Sequence, residues 1–295
     1  MSILAWFVPW EFSPTTIIVI VMTAMLYLRG SLRQPPGFWR QFCFWTGLVL
    51  IYLMLQTNFD YYAEREFFMH RVQHLVLHHM GPFLIIMALP GTTLRKGMPW
   101  VVRRAWHRFA HSAPVRFVFE VLFNPVVASF LFFGIILFWL YPPIHFIAML
   151  DWRWYRVMNW SVTVDGLLFW WLILDRHAHP PARIAPGWRV FIPLFVAMPQ
   201  VFAGAYMTFT RRELYPIYDL CGRAFSGISS MQSQHLGGLI LWIPSAMMMV
   251  LGAMIAFRHW TELSNKGRLP PRKRLRGVPR TSVTADIVRQ ESWYS

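Results

Sequence analysis

Seven mostly apolar stretches, near 14–29, 38–57, 67–90, 117–140, 156–174, 188–209 and 235–257, constrain this chain more than any other feature. A helix rises 1.5 Å per residue, so about 20 apolar residues cross the roughly 30 Å hydrocarbon core of a bilayer. Composition agrees with that reading. Charged residues make up only 14% of the chain, against about a quarter in soluble domains. No polar stretch is long enough to house a soluble domain. The expected fold is all-α: one polytopic membrane bundle of about seven transmembrane helices over residues 1–260. A basic tail follows over 261–295, with Pro270, Pro271 and Pro279 and little apolar periodicity, and is expected to be disordered. Met1 to Pro14 lacks the basic region and cleavage site of a signal peptide, so the first helix is expected to stay as an anchor. Between 97 and 112, arginines and histidines interleave with Trp100, Val101, Trp106 and Phe109, the pattern of an amphipathic helix lying on the headgroups.

Orientation follows from the distribution of arginine and lysine. With the N-terminus outside, the cytoplasmic segments hold Arg29, Arg33 and Arg40, then Arg95, Lys96, Arg103, Arg104, Arg108 and Arg116, then Arg176, Arg183 and Arg189. The basic tail joins them. Only Arg65, Arg153, Arg156, Arg211, Arg212 and Arg223 remain outside. The net charge of +15 is therefore read as contact with anionic lipid and not with nucleic acid. Cys43 and Cys221 are too few for a disulfide framework, and no Cys-x-x-Cys pair is present for a thiolate metal site.

Ionisable residues inside a membrane are costly and mark function. The third stretch carries His70, His74, His78 and His79 between Met69 and Met80. His70, His74 and His78 recur every four residues and share one slowly drifting helical face, where two imidazoles can hold one metal ion. The last stretch opens with Gln234-His235-Leu236-Gly237-Gly238 and reaches Pro244. Its glycines permit close helix approach and its proline a kink, with His235 at a depth comparable to His70. Met207 and Tyr206, Met158 and Asn159, Asp60 and Glu64, Asp165 and His145 are further candidates, whereas His107, His111, His177 and His179 read as solvated. Imidazole with thioether suits monovalent copper, although zinc remains open by ligand type. The resulting metal set is His70, His74, His235, Met207 and His78. Two other readings use the same residues: a haem bound axially by His74 and His235, or a transport path through His78, His79 and Asp165. No Walker loop, dinucleotide fingerprint or nucleophile elbow appears.

Ordered blocks from the third stretch to the seventh resemble the multispanning CtaG family of cytochrome c oxidase assembly proteins. They are His70-Arg-Val-Gln-His74, Gly81-Pro82, Leu89-Pro90, Asp165-Gly-Leu-Leu-Phe-Trp-Trp171, Leu214-Tyr-Pro-Ile-Tyr218 and Gln234 to Pro244. The resemblance implies a non-enzymatic factor of the bacterial inner membrane that handles copper for a haem–copper oxidase. Its partners would be an oxidase subunit and a periplasmic copper carrier. His70, His74 and the polar start of the seventh helix carry over as functional positions. Family members often have a histidine pair entering the fifth helix, where this chain has Tyr155 and Asn159, and Asp-Gln-Gln where it has Ser233-Gln234-His235. Either His235 then replaces a lost ligand in a rearranged site, or the metal site is absent.

Overall fold

Prolines and short polar caps decide where the helices begin. Pro14, Pro90, Pro125, Pro142 and Pro186 each sit in a first turn, where the missing N–H would have had no partner. Asn124 accepts from the backbone N–H groups of Val126 and Val127, and Asp151 from that of Arg153. Ser229 and Gln232 form a reciprocal capping box. The computed structural model describes residues 9–10, 13–220 and 222–269. Cys221 and the tail from 270 onward lie outside the described residues.

The helices are α1 Pro14–Arg33, α2 Phe38–Gln56, α3 Asn58–Arg65, α4 Phe67–Met87, α5 Pro90–Gly97, α6 Trp100–Ala110 and α7 Ala113–Leu122. They continue as α8 Pro125–Leu140, α9 Pro142–Leu150, α10 Trp152–Ile173, α11 Pro186–Phe209, α12 Ile217–Leu220 and α13 Ser230–Asn265. No strand ladder occurs among the described residues; Pro9 and Thr57 form an isolated bridge.

Four of these helices are long and apolar enough to cross a membrane: α1, α2, α11 and α13. Two bent pairs raise the count to six, α4 with α5 at 73° and α7 with α8 at 71°. The expected seven spans therefore become four to six candidates. The missing one is α10, which has 22 residues but carries Arg153, Arg156, Asn159 and Asp165 and so is less apolar than the other long helices. The fourth expected stretch is broken where Asn124 caps a new helix. α13 has 36 residues, about 54 Å of rise, and continues past residue 257 beyond a bilayer core. α6 lies where the amphipathic helix was expected and buries none of its residues.

Packing centres on α4. α11 and α13 run along each other, α13 also meets α4, and α10 meets both α4 and α8. One aliphatic and aromatic core surrounds the His70 end of the bundle and a second, around Phe132 and Trp170, fills the other end. α4 contains a π-helical stretch, Leu75–Met80. Pro82, which has no N–H, follows it. Gly166 of α10 lies against the His78 carbonyl there; a Cβ would stand 2.3 Å from that oxygen.

Candidate functional site

The histidine spacing on α4 acquires its environment from three other helices. His70 and His74 are 0% and 3% exposed, with ring centroids 4.4 Å apart. All four of their ring nitrogens lack a hydrogen-bond partner among the described residues. His145 from α9 reaches the same cluster, its ring centroid 5.1 Å from that of His70. Both of its nitrogens are engaged: Nδ1 lies 3.0 Å from the Trp139 carbonyl and Nε2 2.9 Å from the Tyr218 hydroxyl. A carbonyl can only accept, so Nδ1 carries the proton and Nε2 accepts from Tyr218. His145 therefore walls the imidazole pair, with no nitrogen left to bind a ligand.

Positions 155 and 159 of α10 land on this cluster. The Tyr155 ring lies 6.0 Å from His70, and the buried Asn159 approaches both His74 and Tyr155 without meeting hydrogen-bond geometry to the His74 ring, its own Oδ1 unpartnered. The Tyr155 hydroxyl donates to Asp60 at 2.7 Å and lies 3.1 Å from Gln73 Oε1. Gln73 Nε2 donates to Asp60 at 2.6 Å and to the Met54 carbonyl at 2.7 Å. This buried network ties α4 to α2, α3 and α10 and fixes the rotation that presents His70 and His74.

Arg71, between the two histidines, is 2% exposed, and none of its guanidinium nitrogens finds a hydrogen-bond partner among the described residues. Its charge lies over the Phe67 ring, 5.2 Å from the centroid. Arg71 and His74 line one small cavity of about 10 Å³ with His79 and Ser245. A fixed cation thus sits beside the imidazole pair.

Other expected ligands are placed elsewhere. His235 Nε2 lies 3.0 Å from the Thr210 carbonyl, facing the end of α11. Ser233 turns towards α4, its hydroxyl donating to Glu66 at 3.1 Å. Two residues further along a helix is about 200° around its axis, so His235 faces away. The structure does not bring His235 to His70 or to His74, which also separates the axial pair of the haem reading. Met207 is buried, with its sulfur 3.5 Å from the Tyr215 hydroxyl. Tyr215, whose phenol is raised by burial and stays protonated, donates to the Leu140 carbonyl at 2.7 Å and stacks on Phe67. His78 forms a separate, deeper pair with Asp165 at 3.1 Å and stacks on Phe132. Met158 is buried in the core and Tyr206 is exposed.

Among the described residues, no three His, Cys, Asp or Glu side chains converge on a common metal position. The imidazole pair offers two nitrogen donors in a buried pocket. That donor set fits a soft, low-coordinate monovalent ion and falls short of the four ligands of a structural zinc site.

Glu66 and Arg71 were not singled out by sequence reasoning. Glu66 is 1% exposed and accepts from the Phe225 N–H and from Ser233 at 3.1 Å each, with Arg223 at 3.4 Å. It pins the segment before α13 onto the start of α4. Its position immediately before an apolar helix was the available signal.

A protein-family model described as cytochrome c oxidase caa3 assembly factor (Caa3_CtaG) matches residues 20–262. No curated protein and no solved structure matches the chain.

Proposed function

The chain belongs to the cytochrome c oxidase caa3 assembly factor family, and from that premise we propose that it holds monovalent copper between His70 and His74 and passes it to the metal centre of a haem–copper oxidase. It does so as a non-catalytic membrane protein of the bacterial inner membrane. α10 serves as the seventh span, packed inside the bundle where Asn159 and Asp165 are shielded from lipid. The N-terminus is outside and the basic tail cytoplasmic, so the imidazole pair lies in the outer half of the bilayer, facing a periplasmic copper carrier and the oxidase.

The observation that carries this reading is the pair of buried imidazoles with four unpartnered nitrogens. Leaving such groups unsatisfied costs about 1–3 kcal/mol each, and a bound metal offsets part of that cost. Two nitrogen ligands and no thiolate give a site that can release its ion. Arg71 supports release in the same way, since a fixed positive charge beside the site weakens its hold on a cation. The ion binds without any change of bond order in the protein, and the chain's contribution is to exclude water and to hold both rings in one orientation.

The test is copper content of detergent-purified protein after loading with Cu(I). Near-stoichiometric copper is expected in the wild type and in His235→Ala, and none in the His70→Ala, His74→Ala double variant. Copper retained by the double variant, or absent from the loaded wild type, would sink the proposal.

A further inference from the structure

α4 does not end by running straight out of the bundle. Leu89 adopts a left-handed conformation, φ 51°, and α5 leaves at 73° to α4. Such a conformation is costly for a branched residue and marks a bend imposed by its surroundings. The bend lays α5 against the end of α1 and leaves a partly open cavity of about 730 Å³ lined from α2, α4, α5, α6 and the end of α10. His70 lies about 25 Å away by helical rise, at the other end of α4.

Two kinds of residue line this cavity. Five cationic residues line it, Arg40, Arg95, Lys96, Arg103 and Arg176, with the Lys96 ammonium donating to Gln34 at the end of α1. The single carboxylate among the lining residues, Asp175, is taken by His177 Nδ1 at 2.7 Å. Ile86, Leu89, Trp171 and Leu174 form an apolar floor. Arg40 is anchored to the bend itself, Nε donating to the Ala88 carbonyl at 3.1 Å. Like charges around one cavity repel, and an anion among them would relieve that repulsion. The volume falls within the range of about 300–1,000 Å³ that accepts a small molecule.

We propose that this cavity binds the phosphate headgroup of an anionic phospholipid, with the glycerol and upper acyl carbons on the apolar floor. A soluble phosphate would use the cations equally well but would leave the apolar floor wet. Trp171 of that floor is 46% exposed, the amphipathic ring that suits a headgroup boundary. Basic pockets between transmembrane helices on this side of a membrane are suited to such headgroups. The site is independent of copper and stands or falls separately from it.

The test is native mass spectrometry of the full chain released from detergent after incubation with phosphatidylglycerol, phosphatidylcholine or inorganic phosphate. One retained phosphatidylglycerol is expected, at least tenfold above phosphatidylcholine. Arg95→Gln, Arg103→Gln and Arg176→Gln together should abolish its retention. These side chains are exposed and carry no packing, so folding should survive. Arg108→Gln, Arg116→Gln and Arg258→Gln together remove the same charge outside the cavity and should retain the lipid. Retention by the cavity variant, equal loss in the control, or equal binding of phosphatidylcholine overturns the proposal. Displacement by millimolar inorganic phosphate overturns the lipid in favour of a soluble phosphate.

Discussion

Replacing Gly237 by alanine tests how α13 positions the imidazole pair. A Cβ there would stand 2.4 and 2.5 Å from Cδ1 and Cε1 of Phe67 and 3.1 Å from Cγ of Arg71. Carbon atoms settle at about 3.5–4.0 Å, so the helices must part by about 1 Å. Phe67 cannot retreat, because Tyr215 stacks behind it at 4.2 Å. One turn earlier on α13, Ser233 donates to the buried Glu66 at 3.1 Å, a bond that the same displacement would break. Overpacking costs about 1–3 kcal/mol, and a hydrogen bond to a charged group contributes about 1.5–3 kcal/mol. Tilting of α13 relieves some of both, leaving a net cost of about 2–4 kcal/mol. At about 2 °C per kcal/mol for a chain of this size, Tm in detergent should fall by about 4–8 °C. Copper retention should weaken with it, since Phe67 lies one turn from His70 and Arg71. Gly134→Ala is the matched control: nothing lies within 4 Å of its Cβ position, and the change should stabilise by about 0.4–1 kcal/mol. A Gly237→Ala protein melting within 1 °C of wild type, or an equal loss in Gly134→Ala, would refute the reasoning.

Asn159→His adds an imidazole beside His74 and should slow transfer of Cu(I) to a competing chelator at least tenfold; unchanged release would place residue 159 outside the site. Tyr155→Phe removes the hydroxyl that donates to Asp60 and should cost about 2 kcal/mol, read as a Tm loss that Tyr155→Trp cannot restore. Asp165→Leu leaves His78 Nε2 without its partner and should destabilise by about 1–3 kcal/mol while leaving copper content unchanged. That separation would fail if copper were lost at wild-type Tm. A reporter fused after Lys266 should be active only in the cytoplasm, and periplasmic activity would reverse the proposed orientation.

Much of this protein is written in local sequence. Apolar length and scarcity of charge determined an all-helical membrane chain, because lipid leaves the backbone no external partner. The four-residue spacing put His70 and His74 on one face of α4, since that period is a property of the helix alone. Caps such as Asn124 and Asp151 marked helix starts for the same local reason, although the break that Asn124 introduces was hidden inside a continuous apolar run. Tertiary structure decided everything that depends on how one helix is rotated against another. It brought His145, Tyr155 and Asn159 to the imidazole pair, turned His235 towards Thr210, left Arg71 buried without a hydrogen-bond partner, and folded α5 back over a basic cavity. Those outcomes rest on close approaches such as Gly237 on Phe67 and Gly166 on the His78 carbonyl. A helix repeats its own geometry every few residues, but its rotation is set by contacts with residues on other helices, from about twenty to more than a hundred and fifty positions away, and no local pattern encodes them.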